Sequence, residues 1–159
     1  MVENQPFIRR ATFVDADLIA RITRDAWANT VSLESGAYRE TAESVLHDLQ
    51  TGDGLIATMN DEAIASMRWL NLTPITRELK RIGVLTEYRR QGIAQKLMAE
   101  AIKIAQQEGI TDLRLAVRLD QAQLLKGYEL AGFRVDTTLT YSHANPLSPP
   151  PIVMRLRQT

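Results

Sequence analysis

Apolar residues along this chain change their spacing several times, and each change predicts an element. From Asp15 to Ala28 they recur at helical intervals: Leu18, Ile19, Ile22 and Ala26 share one face, with Asp15 placed as an N-cap. The run before it, Pro6 to Val14, is a strand candidate. Residues 29–40 show no period and contain Gly36, which predicts a loop. A short helix over 41–52 carries Val45, Leu46 and Leu49 and stops at Gly52. Apolar runs at 54–59 and 62–70 flank Asn60-Asp61, the pattern of a hairpin. Thr73-Pro74 breaks the connection to a further strand over 77–85. Gly83 lies inside that strand, which predicts a bulge or a close backbone approach.

The strongest helical pattern runs from Gln91 to Glu108. Ile93, Leu97 and Ala101 repeat every four residues, as do Ala94, Met98 and Ile102, and Gly109 supplies the stop. The Met and Ile stripe is expected in the core. Residues 112–118 predict a strand, 120–131 a helix ended by Gly132, and 133–141 another strand. The segment 142–151 holds Pro149, Pro150 and Pro151, which cannot donate to a ladder, so a stiff loop should precede a last strand at 152–157. The order β-α-α-β-β-β-α-β-α-β-β predicts one α/β (α+β) domain over 1–159. It should have a single mixed sheet of about seven strands flanked by about four helices.

Composition narrows the function classes. Nineteen Lys and Arg balance nineteen Asp and Glu, which argues against a dedicated nucleic-acid binder but leaves room for a small anion site. There is no cysteine, and the histidines, His47 and His143, match no ligand spacing, so no metal site is expected. No apolar run approaches membrane-span length and the first residues carry no apolar leader, so no membrane partner and a cytoplasmic location are expected.

The segment from Val84 to Met98, VLTEYRRQGIAQKLM, is where chemistry enters. A helix starting near Gln91 or Gly92 has unsatisfied N–H groups and the positive end of its dipole at its first turn. Gly92 removes a side chain there, Ala94 keeps the next position small, and Arg89 and Arg90 add positive charge. Together these suit a phosphate group held mainly by backbone. The spacing is neither the nucleotide P-loop nor the dinucleotide fingerprint.

YRRQGIA resembles the Arg/Gln-x-x-Gly-x-Gly/Ala signature of the GNAT N-acyltransferase superfamily, with Arg89, Gly92 and Ala94 at the defining positions. GYELAGF resembles that family's later Tyr-x-x-x-Gly-Phe, here Tyr128, Gly132 and Phe133. The element order agrees over nearly the whole chain. Where the family often has Asn-x-x-Ala-x-x-Leu-Tyr, this chain has Gln121, Leu124, Gly127 and Tyr128, a departure at the pantetheine and thiol end.

The resemblance implies a mostly antiparallel sheet and an N-acetyltransferase. Such an enzyme moves the acetyl group of acetyl-CoA to a primary amine of a small-molecule or protein acceptor by direct attack in a ternary complex. It also makes a homodimer one expectation, since dimers are common in the family. It implies that the pantetheine arm lies along a strand edge at Val84 and Leu85, freed by a bulge at Gly83-Val84. The pyrophosphate would lie on the loop of Arg89, Arg90, Gln91, Gly92, Ile93 and Ala94, and Gln121 would reach the cofactor with a longer arm. Tyr128 would donate a proton to the leaving thiolate, and Glu78, alternating with Lys80, Ile82 and Val84, would accept one from the amine. The plainer readings are a core tyrosine and a surface glutamate paired with Lys80. The loop containing Glu34, Tyr38 and Arg39 would shape the acceptor site, and Trp69 would pack in the core or line the acceptor cleft. A CoA-binding regulatory module, a transferase for longer acyl chains, and an unrelated α/β domain remain open alternatives.

Overall fold

The computed structural model describes residues 5–28, 40–141, 146–147 and 149–158. Glu34, Tyr38, Arg39 and His143 lie outside them. The elements are β1 (Phe7–Arg10), α1 (Ala16–Trp27), α2 (Ala42–Thr51), β2 (Gly52–Met59), β3 (Glu62–Asn71), β4 (Thr76–Val84), α3 (Ile93–Gln107), β5 (Asp112–Val117), α4 (Leu125–Leu130), β6 (Arg134–Val135) and β7 (Ile152–Arg157). The strands form one seven-stranded sheet in the order β1-β2-β3-β4-β5-β7-β6. Every neighbouring pair is antiparallel except β4 and β5.

Both faces of the sheet are covered. One buries Leu55, Met67, Trp69, Leu79, Leu113 and Phe133 with the α3 residues Leu97 and Ala101. The other buries Ile56 with Ile19 and Ala20 of α1 and Val45 and Leu49 of α2. Trp69 is 1% exposed. The Arg10 and Arg77 guanidiniums approach its ring to 5.4 and 5.0 Å, so it is a packing residue.

Several local expectations change for identifiable reasons. Asp15 does not cap α1 through its side chain. Its carboxylate accepts from the Thr12 N–H and from Arg9, closing a 3-10 turn at Phe13–Asp15 that shortens the first strand. Gly52 is required by β3 rather than by a left-handed helix end: its φ is −159°, and a Cβ there would fall 1.7 Å from the Trp69 carbonyl oxygen. The predicted strand 133–141 pairs only at Arg134 and Val135. The predicted helix 120–131 begins as a 3-10 segment, Leu119–Leu124, kinked at Gln121. The hairpin turn falls on Asn60 and Asp61, both with positive φ.

The bulge in β4 comes earlier than Gly83-Val84. Ser66 pairs with Gly83 and Arg68 with Lys80, so Arg81 and Ile82 together oppose Met67. Arg81 takes the strain, with a φ of 55°. The extra residue resets the alternation, so Glu78 and Lys80 do not share a face with Ile82 and Val84. Ile82 and Val84 pack with the α3-side core. Lys80 and Arg81 both reach carboxylates on the α2 side: Lys80 Nζ lies 3.2 Å from Asp48, and Arg81 Nε donates to Glu40 at 2.6 Å.

Those carboxylates also hold Arg68, which is fully buried on β3. It donates to Asp48 at 2.8 Å and to Glu40 at 2.9 Å. Burial alone would raise the Glu40 pKa, but Arg68 and Arg81 outweigh it and hold the carboxyl down at about 2. Its folded pKa lies below the ordinary 4.5, so its stabilisation is present above that value and is lost as pH falls toward about 2. Glu40→Gln should cost about 3–5 kcal/mol at neutral pH, because Arg81 loses its carboxylate and the buried Arg68 one of its two. It should also flatten the decline of stability with acid. Urea unfolding of both proteins across that pH range measures each effect.

Candidate active site

The parallel pairing of β4 and β5 is short. Thr76, Arg77 and Glu78 pair with Asp112, Leu113 and Arg114, and there the recorded register ends. β5 meanwhile stays paired with β7 along its whole length. A wedge of about 100 Å³ opens beyond Glu78, between residues 79–82 of β4 and 115–118 of β5. Tyr128, Trp27 and Leu124 border the wedge and also line a larger cleft of about 710 Å³, which runs past Val84 to the loop before α3.

The strand edge facing the wedge follows from the hydrogen-bond phase. Leu85 donates its N–H to Ile64 of β3 at 2.8 Å, so its N–H is engaged rather than free. Val84, one residue earlier, therefore turns its backbone groups away from β3. Its carbonyl accepts from Arg89 Nε at 3.2 Å.

The same Arg89 side chain donates to the Ala26 carbonyl near the end of α1. Helix ends leave carbonyls without intrahelical partners, and here an arginine from the loop supplies one. Although Arg89 lines the cleft, its guanidinium thus ties α1 to β4. Gly83 completes this join, since a Cβ there would sit 3.0 Å from Ala26 Cβ and 3.1 Å from Trp27 Nε1.

The loop itself has the features of an anion cradle. Arg90 and Gly92 both take left-handed backbone, with φ of 64° and 75°. Such residues let a short loop turn successive N–H groups to one side. The α3 ladder starts with Lys96 donating to Gly92, so the N–H groups of Ile93, Ala94 and Gln95 have no intrahelical acceptor. The first turn of α3 carries no acidic residue that would compete for them. Arg90 is exposed beside this loop, so its charge is available to an anion. Met98 and Ile102 are not only core residues; they also line the cleft floor.

Tyr128 is positioned by the motif that follows it. Gly132 has a φ of 107° and turns the chain out of α4, the Phe133 N–H bonds back to the Tyr128 carbonyl at 3.1 Å, and the Phe133 ring is fully buried. Burial pushes the Tyr128 phenol up to about 12, so it is protonated at neutral pH.

The remaining expected residues divide clearly. Val84, Arg89, Arg90, Gly92, Ile93, Ala94 and Tyr128 line one cleft, whereas Leu85 and Gln91 adjoin it in the chain without lining it. Gln121 borders the wedge instead. Its neighbour Gln123 lines the cleft and donates to the Gln121 side chain at 2.9 Å. Glu78 is 4% exposed and borders neither space; partial burial, with the Glu78 charge adding to it, raises the Tyr141 phenol pKa. Trp27, Gln123, Tyr141 and Arg81 were not singled out by the sequence. Trp27 did carry a signal, because it extends the buried Ala20–Thr23 face of α1 by one more turn.

A family profile described as "Acetyltransferase (GNAT) family" matches residues 19–133, well over half of the chain. The protein belongs to that family and is an acetyltransferase. No curated protein matches the sequence significantly. Among solved structures, it is similar to a paia N-acetyltransferase from Thermoplasma acidophilum in complex with coenzyme A. That match has 21% identity and a TM-score of 0.79, covering 97% of this chain and 99% of that one. It is also similar to the ribosomal-protein-S18-alanine N-acetyltransferase from Escherichia coli, at 21% identity and TM-score 0.76, covering 96% and 94%. A third is yncA from Salmonella typhimurium with its cofactor acetyl-CoA, at 17% identity and TM-score 0.76, covering 97% and 94%. No described helix is long and apolar enough to cross a membrane.

Arg89→Ala should remove two charge-assisted bonds to carbonyls and lower stability by about 2 kcal/mol. Arg89→Lys, with a single donor head, should recover only part of it. Chemical denaturation of the three proteins provides the comparison.

Proposed function

We propose that this acetyltransferase uses acetyl-CoA and transfers its acetyl group to a primary amine by direct attack within a ternary complex. The observation that carries the reading is the continuity of cleft and wedge at Tyr128. One end has the N–H groups of an unblocked helix start, and the other has a small opening in the sheet beside the half-buried Tyr128 phenol. The chemistry supplied by acetyl-CoA is an activated thioester, and the chain's own residues bind and orient it.

In this reading the N–H groups from Arg90 to Ala94, with the Arg90 guanidinium, hold the pyrophosphate, and Gln91 and Gly92 form the turn between them. The outward edge of Val84 pairs with the pantetheine amides, and its N–H is the backbone donor offered to the thioester carbonyl. Leu85 supports that edge through its bond to β3. Gln123, oriented by Gln121, takes the place first expected for Gln121 alone. A wedge of about 100 Å³ favours acetyl over a long acyl chain.

Tyr128 has the role of hydrogen-bond donor to the leaving sulfur. A phenol at about 12 keeps its proton against a thiolate of ordinary pKa near 8.5, so it stabilises the leaving group mainly by sharing that proton. Glu78 has the role of proton acceptor for the amine. Because it borders neither space, it acts through water, in company with Tyr141.

Calorimetry tests the cofactor assignment. The wild type should bind acetyl-CoA, and Gly92→Glu should lose binding by about a hundredfold or more. Unfavourable φ, bulk and negative charge then meet at the phosphate. Unchanged affinity would remove the pyrophosphate site. Tight binding with no thiol released on any amine would instead favour a CoA-binding regulatory module.

The proton roles have separate signatures. Tyr128→Phe should lower kcat on the order of a hundredfold with little change in acetyl-CoA affinity. Glu78→Gln should move the rising limb of the pH–rate profile. A Tyr128→Phe rate equal to wild type, or an unmoved limb for Glu78→Gln, removes the corresponding role.

A further inference from the structure

We propose that Arg81 selects the acceptor: its guanidinium binds a carboxylate on the incoming molecule, so the preferred substrates are amines that also bear a carboxylate, such as amino acids. This rests on the acetyltransferase reading and adds a substrate class to it.

Arg81 stands at the right place. It borders the wedge, and it also borders a polar cavity of about 520 Å³ between α2 and the β4 bulge. The cavity and the wedge share Lys80 and Arg81 in their linings, so an acceptor that spans them meets the Arg81 side chain.

Its backbone and side chain are both unusual. A φ of 55° costs an L-residue on the order of 1 kcal/mol, and glycine would relieve it. The bulge therefore carries an arginine at a position where the backbone alone favours glycine, which points to a use for the side chain. Arg81 Nε donates to Glu40 at 2.6 Å, which fixes the guanidinium. Its terminal amino groups donate to no acceptor among the described residues, and the side chain is 28% exposed. A guanidinium fixed at Nε, with no further acceptor among the described residues, is suited to a carboxylate.

The two carboxylates nearest Arg81 already serve resident cations. Glu40 is already shared by Arg68 and Arg81, and Asp48 by Arg68 and Lys80. A purely cationic acceptor would have to compete with three resident cations for those carboxylates. Glu43 and His47 lie at the edge of the same cavity, and Glu78 is buried nearby on β4. The Lys80 ammonium is pulled below its usual range by burial. Asp48 opposes that shift, while Arg81 and Arg68 add to it, so an anion beside Arg81 would relieve Lys80 as well.

The test uses thiol release at saturating acetyl-CoA, with α-amino acids, their carboxamides and simple diamines as matched acceptors. Wild type should favour the carboxylates over the carboxamides by about tenfold or more in kcat/KM, the scale of one charge-assisted contact. Arg81→Gly suits the local φ and should fold. It should raise KM for the carboxylates more than for the carboxamides, until the preference between them disappears. Arg81→Lys should keep part of the preference. Carboxamides or diamines used as well as carboxylates by wild type, or a preference that survives Arg81→Gly, would overturn the assignment while leaving acetyl transfer intact. Bound acetyl-CoA with no amine acetylated would overturn the acetyltransferase reading, and this inference with it.

Discussion

The separation of β4 from β5 is the constraint on which the rest of this structure depends. A parallel pair ordinarily continues until one strand ends. Here the recorded register stops at Glu78 and Arg114, although β4 continues to Val84 and β5 to Val117. Unpaired backbone inside a sheet is costly unless something else meets it. In this chain the Val84 carbonyl is met by Arg89, and the wedge leaves the neighbouring groups open to a ligand. The bulge at Arg81 makes the separation compatible with continued pairing to β3, because the added residue bends β4 without breaking its outer ladder.

Two sets of charges hold that geometry at separate points along β4. On the α2 side, Glu40 and Asp48 bind Arg68 from β3 and Lys80 and Arg81 from the bulge. The residues flanking the distortion are thus anchored to a helix rather than left in water. At the end of the strand, Arg89 joins the carbonyl of Val84 to that of Ala26. The end of α1, the bulged strand and the loop before α3 therefore form one unit. In the proposed reaction the bulged strand serves the thioester and the loop before α3 the phosphates, so a single rigid junction would set their relative positions.

Much of this fold was legible in the sequence, because it follows from local periodicity. The α3 face of Ile93, Leu97 and Ala101, the Asn60-Asp61 hairpin and the interruption at Thr73-Pro74 each depend on residues close together in the chain. The loop before α3 was legible for the same reason, since a glycine and flanking arginines at a helix start state their own chemistry. Local spacing did not show what a distant segment decided. Gly52 resembles a helix stop, yet β3 is what excludes a side chain there. Arg89 resembles a phosphate ligand, yet the end of α1 takes its guanidinium.

The sequence by itself determined the element order, the mixed architecture and the family signature around Gly92 and Tyr128, because these reside in spacing, turn residues and short motifs. Only the tertiary structure decided which face Glu78 and Lys80 occupy. A bulge adds one residue to a period of two, and every side chain beyond it changes sides. Alternation along 77–85 placed Glu78 with Val84. The left-handed Arg81 separates them and brings Arg81 itself, a residue with no motif to mark it, to the border between the wedge and the α2 cavity.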